Sequence, residues 1–218
     1  LLNKRNELAS NTINNLVISI KEPLTEIANF SNKKINKNSY LLSIKCPIVI
    51  KKALPGQFVI VMSQEDSERI PLTIYDYNLE DGILNLIYQV VGASTKELSE
   101  NKEEIFALTG PLGNPNEICK NPDNYQNKRI VYVAGGVGIA PVYPQVKYLK
   151  EKGFNIDVIY GARSKDLLII KEKIEKVASK VYYTTDDGTY GEKGFVTDVL
   201  KKHINERTEG RQAAYRRR

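Results

Sequence analysis

The spacing of hydrophobic residues changes about halfway along the chain. Before Pro115 they form short runs broken by turn residues. Over 83–90 every second residue, at 84, 86, 88 and 90, is apolar, which is typical of a strand buried on one face. Asp81-Gly82 just before that run is a hairpin signal. We expect strands over 40–45, 58–62 and 83–90, and several strands at this spacing predict a small antiparallel barrel or sandwich.

After residue 128 the pattern alternates between strand and helix. Strands are predicted over 129–134, 155–160 and 180–184, and helices over 140–152, 165–178 and 195–203. This alternation predicts a parallel sheet wrapped by helices. We therefore expect an antiparallel β-barrel over 27–115, a polar linker over 116–128, and a doubly wound α/β parallel-sheet nucleotide-binding domain over 129–205. Residues 1–26 form a leader of unassigned role, and 206–218 form a basic tail.

Charge and composition exclude several classes of protein. The formal net charge is +6, but residues 206–218, with five arginines and two glutamates, supply half of it, so nucleic-acid binding by the body of the chain is not expected. No run approaches the ~18 apolar residues of a membrane span. Two distant cysteines and one histidine predict neither a metal site nor a histidine-based triad. A reducing, cytoplasmic location follows from the cysteine usage.

A glycine-rich bend carries the sharpest chemical signal. Gly135, Gly136 and Gly138 stand between a hydrophobic strand and a helical pattern, with Pro141 near the first turn of the helix. Glycines let the main chain approach a ligand closely, and the helix start offers N–H groups to a pyrophosphate. The sequence thus predicts a dinucleotide site. The alternative is a tight strand-to-helix turn without a ligand.

The ends of the next two strands should border the same ligand, because open α/β sheets bind ligands beyond the carboxyl ends of their strands. The second strand ends at Arg163 and has no acid there to bind a ribose 2′-hydroxyl, so Arg163 either meets a phosphate or caps the strand at the surface. The choice between NAD and NADP stays open. The third strand leads into the loop 186–191.

The first half contains two further candidate elements. Arg69 precedes a predicted strand and can pair with a pyrophosphate, and Thr73 can offer its hydroxyl to a ring nitrogen. Taken alone, however, this segment is explained better as ordinary strand sequence. Ser94 and Glu97 match a capping box, which predicts a short helix after Gly92 and a second anion site.

Taken in order, these motifs resemble one known group of proteins. The chain contains Pro55-Gly-Gln-Phe58, Arg69-Ile-Pro-Leu-Thr73, Gly92-Ala-Ser-Thr95, Gly110-Pro-Leu-Gly-Asn114 and Ala134-Gly-Gly-Val-Gly-Ile-Ala-Pro141. Over about 30–204 it is similar to the ferredoxin–NADP reductase superfamily. Within that superfamily it resembles the electron-transfer subunits of dihydroorotate dehydrogenase and the FAD-containing small subunits of ferredoxin:NADP oxidoreductases, also called sulfide dehydrogenases.

The resemblance implies a role for each motif. Arg69 would neutralise an FAD phosphate, and Pro71, Leu72 and Thr73 would line the isoalloxazine. The FAD pyrophosphate would be held by Gly92, Ser94 and Thr95, and the NAD(P) pyrophosphate by Gly135, Gly136 and Gly138, with Asp187 and Gly188 nearby. The implied chemistry is hydride transfer between nicotinamide and flavin, which requires no catalytic side chain because the cofactors carry the reaction.

The sequence departs from this family in two places. Most members of the superfamily place the flavin arginine three residues before the serine or threonine. Here Arg69 lies four residues before Thr73, the spacing of the small-subunit branch. The Cys-Gly-Pro strand and the four-cysteine [2Fe-2S] segment of that branch are not found in the 218 residues, so we expect a C-terminally incomplete α/β domain, or an iron–sulfur or flavin-containing partner subunit that accepts the electrons. The first hypothesis is therefore a FAD-dependent NAD(P)H oxidoreductase component. The alternative is a non-catalytic dinucleotide-binding or assembly module.

Overall fold

The computed structural model describes residues 30–102 and 104–215, with side chains up to Asn205. These residues form two compact units that divide between Asn114 and Pro115, except that Ile35–Ser39 cluster with the second unit. The predicted leader 1–26 and the last three residues of the predicted tail lie outside the described residues.

The first unit is an antiparallel sheet of six strands, with two short helices in the connections between them. Its strands are β1 (Phe30–Lys34), β2 (Ser39–Lys45), β3 (Phe58–Met62), β4 (Ile70–Asn78), β5 (Ile83–Gln89) and β6 (Ala107–Leu112), and its helices are α1 (Pro47–Ile50) and α2 (Ala93–Glu100). The strands lie in the order β1-β2-β5-β4-β3-β6. Register shifts between β3 and β6 and between β4 and β5 bend the sheet.

One apolar core stabilises this unit. Alternate residues of the strands point inward, as Leu84 and Leu86 do, and both are completely buried. Leu98 of α2 and Val49 of α1 close the same core. The predicted antiparallel β half is confirmed.

The second unit is a parallel sheet with helices packed on it. Its elements are α3 (Glu117–Lys120), β7 (Ile130–Gly135), α4 (Ile139–Glu151), β8 (Ile156–Ala162), α5 (Lys171–Val177), β9 (Lys180–Thr185), β10 (Glu192–Lys193) and α6 (Val196–Tyr215). The strand order is β10-β9-β8-β7, and every pair is parallel. Helices α4 and α5 pack on each other, and α6 packs across β7, β8 and β9. The predicted α/β fold is confirmed.

Three predicted segments differ from the structure in detail. The helix expected over 165–178 is shorter than predicted. Lys165–Leu167 form a separate 3-10 turn, and Ile170, with a left-handed φ of 49°, interrupts the helical backbone just before α5 begins at Lys171. The polar stretch 116–128 contains α3, whose first turn is capped by the Asn116 side chain. The last helix continues beyond 203 to Tyr215, through most of the predicted tail.

Within the described residues no helix is both long enough and apolar enough to cross a bilayer.

Candidate functional site

The glycine bend of the second unit has the strand–turn–helix form that its sequence predicts. Gly135 ends β7, Gly136–Gly138 is a 3-10 turn, and α4 starts at Ile139. Only Gly136 has a left-handed φ, +52°, so glycine is needed there for the turn itself. A Cβ at any of the three glycines would meet no atom within 4 Å. Since neither φ nor packing requires glycine at 135 and 138, the open space above them fits a ligand that approaches the main chain.

The carboxyl ends of the parallel strands bring the other predicted residues of this unit to the same edge. Gly135 is in register with Gly161, and Ala162 with Thr185. The two following loops are joined by main-chain hydrogen bonds, including one of 3.2 Å from the Asp187 N–H to the Arg163 carbonyl. Arg163 is exposed, and its guanidinium makes no hydrogen bond or ion pair with any residue that the structure describes. It is therefore a cation free to meet an anion at this edge.

The loop 186–191 is held by side chains that sequence reasoning did not single out. The buried Thr185 hydroxyl donates to the Tyr190 carbonyl at 2.9 Å and accepts from the Tyr190 N–H at 3.0 Å. Lys171 places its ammonium 3.6 Å from the centre of the Tyr190 ring. The sequence signal that could have indicated this hydrogen-bonded loop is the pair of adjacent threonines, Thr184 and Thr185, at the end of β9.

Asp187 is committed to the turn of this loop. Its carboxylate accepts hydrogen bonds from the Thr189 hydroxyl at 2.6 Å and from the Thr189 N–H at 2.9 Å. The hydroxyl, and after it the N–H, hold the pKa of Asp187 below its usual value. Gly188 follows with a left-handed φ of +77°. The structure therefore places Asp187 and Gly188 at the predicted edge, where Asp187 keeps a negative charge that any nucleotide must accommodate.

In the first unit, strands β4 and β5 separate where the flavin-lining residues were predicted. Their pairing runs from Asn78↔Ile83 to Ile74↔Leu86, whereas Pro71–Thr73 pair with β3. Pro71 is exposed and Thr73 half-buried, while Leu72 is 7% exposed and belongs to the core. Pro71 and Thr73 thus share a face that a ligand can reach, and Leu72 can meet such a ligand only through its main chain.

The second predicted anion site lies at the start of α2. Gly92 is the N-cap, and a Cβ there would meet no atom within 4 Å. The first amides of a helix have no partner within the helix, so those of residues 93–95 can donate to an anion. The helix begins where the sequence predicted, at Ala93.

The predicted capping box of Ser94 and Glu97 is wrong. Thr95 takes that role, because its hydroxyl oxygen accepts from the N–H groups of Val91 at 3.0 Å and of Gly92 at 3.2 Å. Ser94 instead donates to the Glu68 carboxylate, and Glu97 accepts from Ser67. Of the three residues predicted to hold a pyrophosphate here, Thr95 has its hydroxyl engaged in the turn, so it offers its main chain.

Arg69 precedes β4 and is exposed. Its guanidinium makes no hydrogen bond or ion pair within the described part of the chain. Val91, beside Gly92, is 83% exposed although it is apolar. The first unit therefore presents an unpaired cation at Arg69 and an exposed apolar side chain at Val91.

The single histidine lies elsewhere. At the amino end of the parallel strands, the Arg129 guanidinium contacts the His203 Nε2 at 2.5 Å and pairs with the Asp157 carboxylate. Because arginine only donates, the His203 Nε2 is the acceptor in this contact. Arg129 and Asp157 thereby anchor α6 to β7 and β8, a structural role.

The two cysteines are buried free thiols. Burial raises the pKa of Cys46 to about 12 and that of Cys119 to about 11, so neither is a ready nucleophile. No group of three or more His, Cys, Asp or Glu side chains capable of holding a metal occurs among the described residues.

Comparison with known proteins places this geometry in a family. Residues 132–215 match the oxidoreductase NAD-binding domain. The chain is 46% identical over 176 residues to the dihydroorotate dehydrogenase B (NAD⁺) electron-transfer subunit homologue of Thermotoga maritima, covering 80% of this chain and 60% of that protein. It is 32% identical over 177 residues to the corresponding electron-transfer subunit of Bacillus cereus, covering 79% of this chain and 67% of the relative.

Solved structures agree. An NADH-dependent reduced ferredoxin–NADP oxidoreductase superposes with a TM-score of 0.72 at 42% identity, over 81% of this chain and 62% of that one. The ferredoxin–NADP⁺ reductase of Plasmodium falciparum, 18% identical with a TM-score of 0.60 over 83% of this chain and 77% of its own, shares the fold. The chain spans about 60% of the length of the Thermotoga relative. The chain belongs to the ferredoxin–NADP reductase superfamily, in the family that includes the electron-transfer subunits of dihydroorotate dehydrogenase B.

Proposed function

We propose that this chain is the electron-transfer component of a flavin-dependent oxidoreductase. In this proposal residues 27–115 bind FAD, residues 129–205 bind NAD(P), and 116–128 join them. Electrons pass between NAD(P)H and FAD and then to an iron–sulfur or flavin-containing partner subunit. The observation that carries the proposal is the pair of open main-chain cradles at Gly92 and at Gly135–Gly138, in a chain of this superfamily.

The NAD(P) part of the proposal rests on the carboxyl edge of the parallel sheet. Gly135, Gly136 and Gly138 leave room for a pyrophosphate above the start of α4. Arg163 contributes a positive charge for a phosphate, and Asp187 and Gly188 border the nucleotide from the next loop. The firm hydrogen bonds of Thr185 and Thr189 fix that loop before the ligand arrives, which reduces the entropy lost on binding.

The FAD part rests on the separation of β4 from β5 and on the start of α2. We assign Pro71, Thr73 and the main chain of Leu72 to the isoalloxazine, and Arg69 to a phosphate. Gly92, Ser94 and the main chain of Thr95 would hold the pyrophosphate. When bound, the flavin would supply hydride exchange with nicotinamide and single-electron transfer to an acceptor, so the chain's own task is to bind, orient and exclude water.

The location that we propose is the cytoplasm. Cys46 and Cys119 are buried thiols without a disulfide, a state that a reducing compartment maintains.

Binding experiments test this function directly. The purified chain should bind one FAD, and Arg69→Ala should weaken that binding. The exposed Arg69 guanidinium has no partner within the described residues, so the substitution removes only its interaction with the ligand. Lys102→Ala, another substitution that removes one positive charge from the first unit, is the matched control and should leave the affinity unchanged within about twofold. Failure of the chain to bind either FAD or a nicotinamide nucleotide would refute the proposal.

A further inference from the structure

The start of α2 has a negatively charged neighbour, Glu68, to which the proposed FAD site assigns no role. The Glu68 carboxylate accepts a hydrogen bond from the Ser94 hydroxyl, in the first turn of the helix. A carboxylate at that position is stabilised by the positive end of the helix dipole. Glu68 therefore stands where an anionic ligand of the helix start would also be attracted.

Side-chain contacts keep the Glu68 loop in this place. Ser67, the preceding residue, donates to the Glu97 carboxylate one turn further along α2, and the Gln64 N–H donates to the Ser67 hydroxyl at 3.0 Å. Two serine–glutamate hydrogen bonds of opposite direction thus fasten the loop to the helix. Glu68 is held at the helix start by its neighbours as well as by its own bond to Ser94.

A serine hydroxyl has one proton to donate. If the Ser94 hydroxyl donates to a phosphate oxygen, it cannot at the same time donate to Glu68, and the carboxylate is left unpartnered beside a second negative group. Like charges at this distance repel each other, and a carboxylate at the surface regains water when it moves away. A hydrogen bond from the Ser94 hydroxyl to a pyrophosphate and its hydrogen bond to Glu68 therefore exclude each other.

We propose that Glu68 is an internal competitor for the dinucleotide site at the start of α2, and that it sets the affinity of this chain for FAD. The inference rests on the proposed function, because it takes FAD as the ligand of this site. In the free chain Glu68 satisfies Ser94 and occupies the helix start. The pyrophosphate of FAD displaces it, so the cofactor binds less tightly and exchanges more readily than the cradle alone would allow.

Titration of the chain with FAD, followed by quenching of flavin fluorescence, tests the competition. Glu68→Gln keeps the size of the side chain, removes its charge and weakens its hydrogen bond to Ser94, so its dissociation constant for FAD should fall by about three- to tenfold. Glu65→Gln is the matched control, because Glu65 lies in the same loop, is exposed, and makes no hydrogen bond or ion pair with α2 in the described structure. Its dissociation constant should stay within about twofold of the parent value.

A second pair of variants separates competition for the hydroxyl from repulsion at a distance. Ser94→Ala should weaken FAD binding, and in that background Glu68→Gln should improve it by a smaller factor than in the parent chain. An unchanged or weaker affinity in Glu68→Gln alone, or the same improvement with and without Ser94, would overturn the inference. If the parent chain binds no FAD, the proposed function itself fails, so the two failures are distinguishable.

Discussion

Gly135→Ala separates a ligand-facing glycine from a structural one. Gly135 has φ −119° and ψ 131°, ordinary strand values for any residue, and an added Cβ would meet no atom within 4 Å. Alanine therefore introduces neither backbone strain nor a clash. Among the residues that the structure describes, none lies within 4 Å of the new methyl, so the methyl would meet a ligand that lies over the glycine bend.

Two opposite effects follow, and their sizes come from this geometry. The variant should be as stable as the parent or more stable by about 0.5–1 kcal/mol, because alanine loses less backbone entropy on folding than glycine. Its affinity for NADH and NADPH should fall by about tenfold or more, which corresponds to ~1.4 kcal/mol, because the methyl holds the pyrophosphate away from the main-chain N–H groups.

Urea unfolding measures the first effect and isothermal titration calorimetry the second. Titration with ADP-ribose, which has the pyrophosphate without the nicotinamide, should show the same loss of affinity. Nucleotide binding by Gly135→Ala equal to that of the parent chain would refute the assignment of this bend to the pyrophosphate. A lower stability would refute the claim that the space above Gly135 is open.

Three further predictions concern stability. Gly161→Ala should lower the free energy of unfolding by about 1–3 kcal/mol, since its Cβ would lie 2.5 Å from the Val196 Cγ1; unchanged urea unfolding would contradict this packing. Thr185→Val removes two buried hydrogen bonds to Tyr190 and should cost about 1–3 kcal/mol in the same assay, and hydrogen exchange of the Tyr190 amide should rise; protection equal to that of the parent would argue against the bonds. Burial raises the pKa of Cys46, so the folded chain holds the thiol proton more tightly than the unfolded chain; the contribution of this group to the free energy of unfolding is full below pH 9.0 and is lost as the pH rises towards about 12. Cys46→Ala should therefore lose less stability than the parent chain across that pH range. Parallel plots of unfolding free energy against pH for the two chains would disprove the assignment.

Local patterns predicted the elements well where one residue type dictates the backbone. The glycine bend after β7 was predictable because Gly136 needs a left-handed φ and the strand and helix on either side have clear periods. The start of α2 was equally predictable from Gly92. Alternation located Leu84 and Leu86 in the core for the same reason.

Contacts between distant segments were not predictable in this way. The capping box assigned to Ser94 and Glu97 failed because both side chains bind residues about 30 positions earlier in the chain, a partnership that no local spacing reveals. The helix predicted over 165–178 begins only at Lys171, and the buried Tyr160 hydroxyl, which accepts the Ile169 N–H at 2.9 Å, holds the preceding segment out of the helix.

The central claim is that the chain carries electrons between a nicotinamide nucleotide and FAD. The most direct test loads the chain with FAD, mixes it anaerobically with NADH or NADPH, and follows the flavin absorption band by stopped flow. We predict that the yellow colour bleaches with at least one of the two nucleotides, and that Gly135→Ala slows the bleaching at subsaturating nucleotide. A bound flavin that stays yellow with both nucleotides would contradict the account and would favour a dinucleotide-binding module without catalysis.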